Sequence, residues 1–162
     1  EGALYTEHGE EAYRRTARME EGILCHDIFA HLRKADELEG VLDDFESRGM
    51  IHDTAQREDI KTLISSAWEG SAEMRDWFTS PWQLHLEEPI YIEKKELRPD
   101  RVMINPNTKE AIVLDYKFGH WEKTYIDQVR GYMHALRELG YATVRGYLWF
   151  ARENKLVEVK NG

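Results

Sequence analysis

The chain has 162 residues, 41% of them hydrophobic and 33% charged, with a formal net charge of −9, which is enough for one domain with a substantial core. A single cysteine, Cys25, excludes an internal disulfide and any all-cysteine metal or iron–sulfur site, and it fits a reducing cytoplasm. No apolar run approaches the ~20 residues of a membrane span and no signal peptide is visible. The first residue is Glu rather than Met, so we expect a piece excised from a longer polypeptide.

The negative charge argues against gripping nucleic acid by bulk electrostatics. The charge is unevenly spread, however. Glu96 to Arg130 contains six basic and six acidic residues, so the other 16 basic and 25 acidic residues carry the whole −9.

The first half predicts helices. Residues 10–39 lack proline and are rich in Ala, Glu, Arg and Leu, and Leu24, Ile28 and Leu32 fall on one face, with Gly40 as the stop. A second helix is expected over 53–68, with Ile60, Leu63, Ile64 and Trp68 as its buried stripe, and a short third over 71–78 before Ser80-Pro81.

The second half switches to strands. A first strand is expected over 82–92, a second over 100–104, a turn at Asn105-Pro106-Asn107-Thr108 and a third strand over 111–118. A helix follows over 122–139, with Tyr125, Val129, Tyr132, Leu136 and Leu139 on its apolar side and Gly140 as its stop. Strands over 143–150 and 155–159 close the chain as a hairpin. This order predicts an α/β fold, a central mixed sheet flanked by helices, with a helical region over about 10–80 and an α/β core over about 82–162.

The chemistry concentrates at Arg98-Pro99-Asp100-Arg101-Val102 and Ala111-Ile112-Val113-Leu114-Asp115-Tyr116-Lys117. An apolar strand ending in Asp-x-Lys delivers a carboxylate and an ammonium to the same face, because side chains alternate along a strand. Asp100 begins the preceding strand, so a hairpin would bring the three together. Burying Asp115 and Lys117 costs free energy unless they are paired or bind a metal. Two carboxylates that hold Mg²⁺ or Mn²⁺, with a lysine to orient or deprotonate water or to stabilise developing charge, suit phosphodiester hydrolysis. The Tyr116 backbone carbonyl, between Asp115 and Lys117, is a further candidate ligand.

Asp100 with Asp115-Tyr116-Lys117 resembles the motif of the Pro-Asp…(Asp/Glu)-x-Lys nuclease superfamily, with Pro99 in place. Two further elements resemble its RecB-like branch, found at the C-termini of helicase subunits such as RecB and AddA. One is Gly22-Ile23-Leu24-Cys25-His26, similar to a Gly-x-x-x-His element on an early helix. The other is Gln128-Val129-Arg130-Gly131-Tyr132, similar to a Gln-x-x-x-Tyr motif on the helix after the lysine strand. The resemblance runs from about residue 15 to the end.

It implies a restriction-endonuclease-like fold and a Mg²⁺- or Mn²⁺-dependent DNA exonuclease without an iron–sulfur cluster. By implication His26, Asp100 and Asp115 are metal ligands and Lys117 is catalytic. Gln128 and Tyr132 contact the DNA backbone or support the metal site. Glu87, in Glu87-Glu88-Pro89, stands where the family often places another acid, though the pair also fits a solvated edge. The implied partners are single-stranded DNA ends, the helicase domains of the same chain and a second subunit of a repair and recombination complex, with no membrane. A non-catalytic module of the same fold that binds DNA or a partner, or a stand-alone repair endonuclease, are the alternatives. His120 and Trp121 lie in the loop after Gly119, where they could stack on a base or simply be exposed.

Overall fold

The computed structural model describes residues 2–161, with side chains from residue 9 onward. Five α-helices and seven strands follow in the order α1 (Gly2–Ala30), a 3-10 turn (Ala35–Glu37), α2 (Leu38–Ser47), α3 (Thr54–Glu69), α4 (Ala72–Trp77), β1 (Gln83–Leu86), β2 (Ile90–Ile92), β3 (Lys95–Leu97), β4 (Arg101–Ile104), β5 (Ala111–Lys117), α5 (Lys123–Glu138), β6 (Val144–Phe150) and β7 (Lys155–Val159). The fold is mixed α/β, as expected, with the helices at the N-terminus. No helix among the described residues is long and apolar enough to cross a membrane.

Five strands form one sheet in the order β1-β4-β5-β6-β7. All neighbours are antiparallel except β5 and β6, which run parallel and are joined through α5. β5 sits at the centre with helices over both faces, which is why Ala111–Leu114 reads as an unbroken apolar run. Alternation sorts its side chains. Ile112, Leu114 and Tyr116 join Met103, Tyr147 and Trp149 under α1, α3 and α4. Ala111 and Val113 join Val102, Ile104, Leu148 and Phe150 under α5, which contributes Val129, Tyr132, Met133 and Leu136. Each fully buried Leu, Ile or Phe contributes about 1.5–3 kcal/mol.

Local chemistry sets the helix ends. Asp53 caps α3 by accepting from the Gln56 amide at 2.8 Å, while the Gln56 side chain accepts from the His52 amide at 2.7 Å. Gly140, at φ +103, ends α5 with the Gly140 amide on Arg137 O and the Tyr141 amide on Leu136 O, the paired bonds of a Schellman motif.

Three expectations are corrected. The helix expected over 10–39 breaks after Ala30, and Gly40 lies inside α2 rather than ending a helix. The cause is distant: Arg101 donates to the carbonyls of Leu32 (2.8 Å) and Arg33 (2.7 Å), and Glu37 accepts from the Arg33 and Lys34 amides. Those groups are thereby satisfied without a continuing helix. Second, the strand expected over 82–92 is two strands. Glu87, at φ +50, turns the chain out of the sheet, and β2 pairs instead with β3, which the sequence pattern did not reveal. Third, Leu139 is exposed, while Met133 and Ala135 take core positions on α5.

Candidate metal centre

The antiparallel register pairs Arg101 with Leu114, so Asp100 falls opposite Asp115. The two acids are cross-bonded: Asp115 Oδ1 accepts from the Asp100 amide at 2.9 Å, and Asp100 Oδ2 accepts from the Tyr116 amide at 2.9 Å. The other oxygen of Asp100 lies 3.0 Å from His26 Nε2, which α1 delivers from 74 residues earlier in the chain. Glu87 joins from the end of β1, its amide donating to Asp100 O at 3.0 Å. That bond offsets the roughly 1–2 kcal/mol cost of its left-handed backbone.

His26, Glu87 and Asp100 each offer a ligand atom within 4.8 Å of the others. One imidazole nitrogen and two carboxylates make a donor set suited to Mn²⁺ or Mg²⁺. Asp115 is one hydrogen bond removed from this trio, its Oδ2 facing Lys117 Nζ at 3.6 Å. An extended residue points its N–H and C=O to the same side. The Tyr116 carbonyl therefore leaves β5 on the side where its N–H meets Asp100.

Burial at Asp115 and hydrogen bonding at His26 set the electrostatics. The Asp115 carboxyl is pushed from 3.8 up to about 7, first by desolvation and then by the Asp100 charge, with Lys117 opposing. His26 is raised, chiefly by its hydrogen bond to Asp100, against the effect of burial. Both shifts favour the protonated form, which a cation bound at these groups would oppose. The Tyr132 hydroxyl is raised by burial and by Asp115 and Asp100.

Lys117 donates to Gln128 Oε1 at 3.1 Å, so Gln128 meets the site through the lysine. Tyr132 is 5% exposed, and its hydroxyl donates to Arg98 O at 3.4 Å. It thus braces the turn that presents Asp100, and its ring packs in the core beneath α5. His120 and Trp121 are exposed. The Cys25 thiol is buried and raised to about 12, which leaves it inert.

Two residues at the site escaped sequence reasoning. Arg101, 0% exposed, donates to Leu32, Arg33 and Trp77 carbonyls with its guanidinium 3.9 Å from the Phe78 ring centroid. Tyr125 lies beneath the Lys117 ammonium at 4.5 Å. Its spacing of three residues from Gln128, on one helix face, was the available signal.

No protein-family model matches the chain, and no curated protein matches it. Among solved structures it is similar to a crystal structure of SSO0001, at 14% identity and a TM-score of 0.34, over 84% of this chain and 66% of that one. The chain therefore spans just under two thirds of that protein.

Proposed function

We propose that this chain is a metal-dependent DNA nuclease domain of the restriction-endonuclease-like, RecB-like type, acting as the C-terminal exonuclease module of a helicase–nuclease in repair and recombination. The observation that carries it is the convergence of His26, Asp100, Asp115 and Lys117, with the two acids cross-bonded at 2.9 Å. Those residue types in that arrangement are what metal-assisted phosphodiester hydrolysis requires.

His26, Asp100 and Asp115 would hold Mg²⁺ or Mn²⁺, with Glu87 and the Tyr116 carbonyl as further donors. A bound divalent ion supplies charge neutralisation and a more acidic water. As ligands, Asp115 and His26 would bind it in their deprotonated forms. Lys117 places a positive charge beside Asp115, where it would orient water or stabilise charge building on the phosphoryl oxygens. Gln128 holds the lysine in that direction. The chain's net charge of −9 favours a substrate delivered by helicase domains of the same polypeptide and a partner subunit over one captured unaided.

The test is cleavage of end-labelled single- and double-stranded DNA with and without Mg²⁺. Cleavage by the wild-type chain is expected to require the metal. Asp115→Ala or Lys117→Ala is expected to lower it by several orders of magnitude. Undiminished activity in both variants would sink the proposal, and metal binding without any cleavage would favour a non-catalytic module.

A further inference from the structure

The Lys117 side chain is only 17% exposed, yet among the described residues its ion-pair partner, Asp115 Oδ2, stands at 3.6 Å, beyond hydrogen-bonding distance. A flexible four-carbon stem held by one long ion pair would be free to swing. Two neighbours on the first turns of α5 restrain it. Gln128 Oε1 accepts from Nζ at 3.1 Å, and the Tyr125 ring lies under Nζ at 4.5 Å from its centroid. Residues three apart on a helix share a face, so α5 presents an acceptor and a π-face side by side.

We infer that Tyr125 is a positioning residue for Lys117: its ring holds the ammonium by a cation–π contact while Gln128 fixes the direction of one N–H. The catalytic part of this inference rests on the nuclease reading, but the contact itself does not. Tyr125 is half-buried at the margin of the α5 core, so a purely packing role is the competing account. The two differ in what they require of the side chain. Packing requires apolar volume, which Leu supplies. A cation–π contact requires the negative face of an aromatic ring, which Phe supplies and Leu does not.

The experiment uses the full chain labelled with ¹³C at the lysine ε carbon, the Lys117 signal being assigned by its absence in Lys117→Arg. In the wild type that signal is expected upfield of the other lysines because of the ring beneath it. Tyr125→Leu should abolish the upfield shift, and Tyr125→Phe should restore it. In DNA cleavage, Tyr125→Leu should lower kcat about tenfold with KM unchanged, and Tyr125→Phe should rescue the loss. A Lys117 signal unmoved by Tyr125→Leu overturns the inference, as does a loss expressed in KM alone, which would make Tyr125 a DNA contact. If the wild type cleaves no DNA, the proposed function falls, while the NMR comparison still decides whether Tyr125 holds Lys117.

Discussion

Asp100 and Asp115 hold each other across the β4–β5 hairpin, each carboxylate accepting a backbone amide from the opposite strand at 2.9 Å. Neither acid can turn away without leaving a buried N–H unpaired, a cost of about 1–3 kcal/mol. The carboxylates are therefore oriented by the backbone before any ligand arrives, and their proximity is built into the hairpin register.

That arrangement has a pH signature. The Asp115 carboxyl stands at about 7 in the fold against 3.8 ordinarily. Between those values the folded chain keeps a proton that the unfolded chain has released. The stabilisation is fully present below 3.8 and is lost as pH rises through about 7. His26, also raised, acts in the same sense. Asp115→Asn imitates the protonated acid and can still accept from the Asp100 amide. With chelator present, urea denaturation is expected to show the variant gaining stability relative to wild type between pH 5 and 8, by about 1–3 kcal/mol. A difference that does not change with pH would show that Asp115 is not held protonated.

Metal binding should be visible without any turnover. Mn²⁺ at 100 times its dissociation constant stabilises a folded state by about 2.7 kcal/mol, readable as a rise in the thermal midpoint. His26→Ala and Asp100→Asn are expected to remove most of that rise. Glu87→Gln discriminates between two ligand sets, because Glu87 belongs to the geometric trio with His26 and Asp100, whereas the sequence resemblance puts Asp115 in that role. An undiminished Mn²⁺ shift in Glu87→Gln would return the third position to Asp115.

What the sequence made legible was what local pattern controls. The β5 run, the shared face of Asp115 and Lys117 and the central part of the α5 stripe (Val129, Tyr132 and Leu136) follow from periodicity and lie where it placed them, whereas Leu139 at the end of that stripe is exposed. The break after α1 was illegible because its cause, Arg101, lies 69 residues from Leu32. β2 and β3 are three residues each, too short for alternation to register. Glu87 was legible only through the resemblance, which offered it as a further acid with a solvated edge as the alternative, and the left-handed turn with its amide bond to Asp100 O is what brings it to the site.

The approach of α5 to the sheet depends on Gly146 in β6. A Cβ there would lie 2.5 Å from Met133 Sδ and 2.7 Å from Val129 Cγ1, and Val129 is β-branched and slow to yield. Gly146→Ala is expected to cost about 1–3 kcal/mol by overpacking. Adding Val129→Ala should recover part of it, so that the double variant loses less than the sum of the two. Strict additivity in denaturant titrations would place the strain elsewhere.

Arg101 is the strongest test of how the helical region is tied to the sheet. Its guanidinium is fully buried with no carboxylate paired to it among the described residues, and burial lowers its pKa to about 10. Three carbonyls and the Phe78 ring compensate the charge. Because it follows Asp100 and reaches the end of the segment that carries His26, it fixes the separation across which those two side chains meet at 3.0 Å. Arg101→Met removes the charge but leaves three carbonyls unpaired, for an expected loss of about 3–5 kcal/mol. Arg101→Lys keeps the charge but not the planar fork, and should recover only part of that loss. If both variants are as stable as wild type in urea, the break after α1 needs another cause. If Arg101→Lys folds fully yet shows a weakened Mn²⁺ shift, the spacing between His26 and Asp100 is what the arginine sets.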